Sequence, residues 1–378
     1  MLKFKQFISN WKKEIIWILN PLLFLIVFQI VKRHKAFMNF VVNHITSPFK
    51  WGVSWFCNLF PFSVAEVVWT LAILIGLFYL VRVVWCFFFS SREQYKLIPL
   101  TKRLLHFLSF VLIIYCGYTL FWGANYYCDS FSEKAGLVDR GATVQELYEL
   151  SLQYAQLANT YSEHVSRNAD GICNENKQEI FSRASGIYTN IEKTFPALKA
   201  PERTPKGMLE SRLISYIGFT GFFFPFTGEA NLNTDSPVCL LPATIAHELA
   251  HQRGVASEQE ANFVAIMTGL NSNDSAYQYS AALLGYIHLT NALYSANPDL
   301  WKEVYNTLNE KVRADLTDNN AYWNSFQKTT AGKAAQKVSD QVYTDFLESY
   351  DQDLGLKSYE ACVDLLVAYY YDYNTSTQ

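Results

Sequence analysis

Three long apolar runs dominate the first third of the chain. Ile15–Val31 holds no charged residue and is bracketed by Lys12-Lys13 and Lys32-Arg33. Phe62–Phe89 carries only Glu66 and Arg82, with Trp69 and Trp85 towards its ends. The third run is Leu104–Trp122. Roughly 17–25 apolar residues cross a hydrocarbon core, and tryptophans favour its boundaries. The first run is too long for a signal-peptide core, and no A-x-A-like site follows it. The pattern predicts three transmembrane helices at about 15–31, 62–89 and 104–122, in a membrane domain of residues 1–123.

From residue 124 onward the apolar period becomes that of amphipathic helices. Val144, Leu147, Leu150, Tyr154, Leu157 and Tyr161 share one helical face. Further helices are expected at 176–195, 242–253, 257–270, 276–296, 301–314, 320–333, 338–350 and 358–371. One stretch departs from this period. Ser215–Leu232 is aromatic and punctuated by glycine, with turn residues at Pro225 and Gly228, which predicts a short β-hairpin or edge strand. The expected fold class is mainly α: three membrane helices, then a helical domain of residues 124–378 with a little strand.

Composition excludes a disordered chain, because half the residues are hydrophobic and only 17% are charged. The net charge of -3 conceals a split. Thirteen Lys/Arg face three acidic residues before Ala124, and eighteen face thirty-one after it. The basic part is also the apolar part, which argues for a lipid bilayer and against nucleic acid as partner. Lys3, Lys5, Lys12 and Lys13 precede the first span, and Arg92, Lys96, Lys102 and Arg103 lie between the second and third. The positive-inside rule then places the N-terminus in the cytoplasm and the C-terminal domain outside a plasma membrane. Lys32, Arg33, Lys35 and Lys50 in the first loop count against that orientation. The stretch Ala36–Leu59 is aromatic and amphipathic, as interfacial segments are. Cys128, Cys173, Cys239 and Cys362 allow either buried thiols or up to two disulfides.

The chemistry concentrates in Ala243–Ala265, which contains His247-Glu248-Leu249-Ala250-His251. On a helix, residues four apart share a face, so both imidazoles reach one ion. A catalytic zinc takes three protein ligands and keeps one position for water. Glu248 lies one residue from the first histidine, beside the ion, where it can take a proton from that water. Gly254 follows where the helix must stop and reverse. The third ligand is expected from the next helix, at Glu258 or Glu260. Ser257 and Glu260 have capping-box spacing, which gives Glu260 a structural role and favours Glu258. Asn262 is placed to hydrogen-bond a ligating imidazole or Glu258. Tyr277, Tyr279, His288 and Tyr369–Tyr371 are candidates for stabilising an oxyanion, Glu229 for touching substrate, and Asp364 for holding a His ligand or an Arg.

HELAH followed by Glu258, Ala261 and Asn262 resembles the gluzincin pattern, HExxH plus ExxA[DN], of membrane zincins of the Ste24 and HtpX type. The resemblance implies Glu258 as the third ligand. Asn262 stands where those proteins carry Asp, and six residues separate the motifs where they have a long insertion. More of the chain resembles a bacterial family with three membrane helices and a zincin-like domain. The matching segments are Pro61–Glu66, Gly218–Ala230, Leu241–Gly254, Ser257–Phe263 and Lys357–Tyr370.

The expected function is a membrane-anchored zinc metallopeptidase. His247, His251 and Glu258 would bind Zn2+, and Glu248 would act as general base on a zinc-activated water that attacks a peptide or protein substrate. The alternative is a catalytically silent, zinc-stabilised membrane sensor or assembly protein. A third possibility, cleavage inside the bilayer, is disfavoured by the charged residues of 242–260.

Overall fold

The computed structural model describes residues 2–89, 97–138, 140–350 and 359–373. Arg92, Lys96 and the tail beyond Tyr373 lie outside the described residues. Helix accounts for 73% and strand for 4%, so the fold is mainly α as the apolar periods predict. The chain divides into two compact units, residues 1–50 with 64–128, and residues 51–63 with 129–378. The second unit thus takes in residues 51–63, which a division at residue 123 assigns to the first.

The first unit is built on the helices Leu2–Val31, Val64–Phe89 and Leu97–Phe121. Each contains a stretch long and apolar enough to span a bilayer: Trp11–Val31, Val64–Trp85 and Thr101–Phe121. None of the most apolar window of Val64–Trp85 is buried. An apolar surface of that extent is incompatible with water and marks a membrane protein.

The second unit is a helical body with one small sheet. Its central helix, Ser275–Ala296, is capped by Asp274, whose carboxylate accepts from the Ala276 and Tyr277 N–H groups. It packs against Val144–Tyr161, Leu241–Gln252 and Glu258–Leu270. Gly285 makes the first of these contacts possible. A Cβ there would meet the Tyr154 ring at 2.2 Å, and Tyr154 is fully buried. The fully buried Asp315 is paid for by partners. Arg167 Nη2 lies 3.0 Å away, the Cys173 N–H donates at 2.7 Å, and the Tyr279 hydroxyl also donates. Such pairing is what a buried carboxylate requires. Cys128, Cys173, Cys239 and Cys362 are free thiols.

The sheet has the order β1-β3-β2. β2 (Gly221–Phe224) and β3 (Glu229–Leu232) form the expected antiparallel hairpin, with Phe222 opposite Asn231. Gly228 turns it with φ of 65°. β1 (Lys206–Gly207) pairs parallel to β3 and has no signal in the sequence, being two residues long. Ser211–Tyr216 is helical, so the hairpin begins later than Ser215.

Three expected helices have other boundaries. The one over 176–195 becomes Lys177–Arg183 and Ile191–Thr194. Between them Gly186 takes φ of 84°, a left-handed conformation that an α-helix excludes. The helices expected at 301–314 and 320–333 are instead Pro298–Asn306 and Glu310–Gln327. Asn297 and Asn309 cap them through their side-chain oxygens, and these local caps set the boundaries.

Candidate metal centre

Leu241–Gln252 is the helix of the HELAH motif, with Pro242 in its first turn where a missing N–H costs little. His247 and His251 lie one turn apart on one face. The helix stops at Gly254, whose φ of 92° lets the chain reverse. Ser257 then caps the helix Glu258–Leu270, its hydroxyl accepting the Glu260 N–H. This reversal lays Glu258 against the histidine pair.

Three ligand atoms converge. The Nε2 atoms of His247 and His251 are 3.0 Å apart. Glu258 Oε2 is 3.1 Å from His247 Nε2, and Oε1 is 3.5 Å from His251 Nε2. All lie within 4.8 Å of one another, and among the described residues this is the group able to hold a metal ion. Four ligands about 2.0–2.1 Å from a tetrahedral zinc are themselves about 3.3 Å apart, close to what the side chains present.

The orientation of each ring is fixed from behind. His247 Nδ1 lies 2.9 Å from Asn262 Oδ1, and His251 Nδ1 lies 2.7 Å from the Val255 carbonyl oxygen. A carbonyl oxygen can only accept, so each Nδ1 carries a proton and each ring turns its Nε2 inward. Two imidazole nitrogens and a carboxylate facing one point call for positive charge among them, a proton on a ring or a metal ion in its place. The titration behaviour agrees. Burial opposes charge on His251, but the Glu258 carboxylate overrides it and raises the pKa to about 9. Burial likewise disfavours a charged Glu258, and the two imidazoles hold its carboxyl well below the usual range. The residues fit a divalent ion.

Glu248 is buried at 4% exposure, and its Oε2 has no hydrogen-bond partner among the described residues. Burial raises its pKa, while the histidines and the Phe223 N–H of β2 count the other way. β2 passes directly over this carboxylate. A Cβ on Gly221 would stand 3.0 Å from Glu248 Cγ, 3.0 Å from its Oε1 and 3.0 Å from the Asn231 carbonyl oxygen. A glycine is therefore required for the strand to approach the acid. The sequence pattern predicts a strand in this region, but neither Gly221 nor Phe223 stands out within it. Their only signal is glycine punctuation in an aromatic run.

Glu260 lies apart from the cluster and is not a reciprocal cap of Ser257. Its carboxylate accepts the Phe131 N–H at 3.1 Å and the Ser132 N–H at 2.8 Å, holding the start of the helix Phe131–Ala135. The charge satisfies a distant helix N-terminus instead of its own. The tyrosines do not line the centre. Tyr277 donates to the Ile180 carbonyl, Tyr279 to Asp315, and Tyr371 to Glu149. Tyr370 shares a hydrogen bond with Tyr154. His288 is buried near His247, and burial lowers its pKa to about 4. Asp364 accepts the Ala142 N–H at 3.1 Å. Glu229 is buried at the start of β3 beside Cys57 and Lys206, away from a substrate-contact role at the turn.

No curated protein and no solved structure matches the chain. A family model does, over residues 42–367, which include both membrane-length helices after the first and the whole HELAH region. The chain belongs to the family described as protein of unknown function, DUF3810.

Proposed function

We propose that this protein is a membrane-anchored, zinc-dependent metallopeptidase of gluzincin type. The observation that carries the reading is the convergence of His247 Nε2, His251 Nε2 and Glu258 on one point, with the unpartnered Glu248 Oε2 on the same helix. When bound there, a zinc ion supplies Lewis acidity, polarising a peptide carbonyl and making water easier to deprotonate.

The chain's own residues do the rest. Asn262 and the Val255 carbonyl hold the Nδ1 protons, so both imidazoles present the neutral nitrogen. Glu258 brings the negative charge that a dication requires. Glu248 takes a proton from the attacking water and passes it to the leaving amine, and burial has already raised its pKa towards the range where both transfers are easy. β2 is an outer strand of the sheet, above Glu248, and an extended peptide can align along it by backbone pairing.

Glu248→Gln separates the two halves of the proposal. It keeps the metal and lowers cleavage of an unfolded protein substrate by roughly 10²–10⁴-fold. Cleavage at the native rate by this variant would overturn the peptidase reading. From the lysine and arginine bias we further infer a cytoplasmic N-terminus and a catalytic unit outside. A protease-sensitive tag after Gln378 that is cut from outside intact cells supports this, and a tag cut only after lysis contradicts it.

A further inference from the structure

Residues 51–63 are inverted relative to an ordinary soluble surface. Their polar groups face the body of the catalytic unit. Arg203 donates to the Ser54 hydroxyl at 3.1 Å and to the Trp51 carbonyl at 3.2 Å. The Thr204 N–H donates to Asn58 Oδ1 at 3.0 Å, and Lys206 Nζ donates to the Phe60 carbonyl at 2.5 Å. The large apolar side chains point outward. Trp55 is 60% exposed, Phe56 55%, Leu59 62% and Phe62 44%. The half-buried Phe60 meets Phe56 edge to face and Phe62 at a tilt, each with centroids 5.6 Å apart, and so joins these rings into one patch. A contiguous apolar patch fixed by that many polar contacts is a built surface, and such surfaces meet a partner or a membrane.

The chain itself names the occupant. Val64, the residue after Ser63, begins the 22-residue apolar span Val64–Trp85. A span of that length matches the hydrocarbon thickness, so its first residue sits at the head-group boundary. Tryptophan and phenylalanine immediately before it are where interfacial aromatics belong. Ser63 is also fastened to the sheet, its hydroxyl donating to Asn231 Oδ1 at 2.7 Å. Asn231 lies opposite Phe222, and its carbonyl oxygen stands against Gly221, above Glu248. Summed along those contacts, Ser63 lies on the order of 15 Å from the Glu248 carboxylate.

We propose that Trp55, Phe56, Leu59 and Phe62 form a lipid-contacting face of the catalytic unit, which holds the centre close to the bilayer surface and selects juxtamembrane segments of membrane-anchored proteins as substrate. The substrate half rests on the peptidase reading above; the lipid half does not.

The test uses the full chain in phosphatidylcholine–phosphatidylglycerol vesicles. Trp55 fluorescence is isolated as the difference between the native protein and Trp55→Phe. Phosphatidylcholine brominated near the head of its acyl chains should quench that difference signal about twofold or more, because the ring sits at the boundary. Quenching by aqueous iodide alone would place the face in water, and quenching by neither would place it under protein; each overturns the proposal. Leu59→Trp in the native background reports on the same face should Trp55→Phe fail to fold. For the substrate half, an unstructured peptide carried on a single transmembrane helix is offered to zinc-loaded protein. Cuts within about ten residues of the bilayer are expected, a reach of about 35 Å when extended. Cuts confined to distant positions overturn juxtamembrane selection while leaving a peptidase. No cut in either this peptide or a soluble unfolded protein contradicts the peptidase reading, and the quenching result then still decides the lipid face.

Discussion

Asn262 Oδ1 lies 2.9 Å from His247 Nδ1, so a residue on the helix Glu258–Leu270 fixes the ring of a proposed ligand on the helix Leu241–Gln252. The same helix supplies Glu258, four residues earlier. One helix therefore delivers one proposed ligand and orients another. Asn262→Leu leaves the ring free to rotate and removes its proton acceptor. Zinc affinity should fall roughly 10–100-fold, read by competition with a chromogenic chelator. An unchanged affinity would mean that the hydrogen bond has no part in binding.

Glu258 and Glu260 have separable roles. Glu258→Gln should abolish stoichiometric zinc with little change in fold, because it keeps the size of the side chain while removing the charge that faces the histidine pair. Glu260→Ala should keep zinc and destabilise the protein. It removes the acceptor for two backbone N–H groups at the start of Phe131–Ala135, a cost of about 1–3 kcal/mol. Thermal unfolding and metal analysis of both variants check the pair, and the reverse pattern would exchange the assignments.

Gly221→Ala tests the approach of β2 to the acid. The added methyl would stand 3.0 Å from the Asn231 carbonyl oxygen and from Glu248 Oε1, so strand or acid must shift. Displacements of this kind cost catalysis more than binding. Cleavage should drop roughly tenfold to a hundredfold with zinc content unchanged. Native activity in this variant would remove β2 from the mechanism.

The Arg140–Glu146 pair gives a pH dependence away from the centre. Hydrogen bonds from Arg140, 2.8 Å at the closest, hold the Glu146 carboxyl down at about 2, against the opposing effect of burial. A carboxyl with a depressed folded pKa stabilises the native state above its ordinary value near 4.5. That contribution fades as pH falls from about 4.5 towards 2. Native protein and Glu146→Gln should therefore differ in unfolding temperature at pH 6 and converge near pH 2. A difference that grows on acidification would contradict the assignment.

Much of this architecture is legible in the chain. The three spans announce themselves because every position in a lipid-facing helix must be apolar, which needs no tertiary knowledge. His247 and His251 are readable because a spacing of four fixes a shared face whatever surrounds it. Other features depend on partners that the local pattern cannot show. Glu260 has the spacing of a self-cap, yet its carboxylate goes to Phe131 and Ser132, more than a hundred residues earlier. Ala36–Leu59 reads as interfacial from its aromatics, but the attachment of residues 51–63 to Arg203, Thr204 and Lys206 is a tertiary fact. The break at Gly186 shows the reverse failure: an apolar period continues through a backbone that cannot stay helical.

The proposed chemistry needs one divalent ion held by His247, His251 and Glu258. Elemental analysis of the full-length protein, purified without chelator and set beside His251→Ala, measures this directly. One equivalent of zinc is expected in the native protein and a loss of at least about 90% in the variant, since a site reduced to two ligands does not retain the ion. Equal metal in both, or none in a native protein that is folded and supplied with zinc, would contradict it.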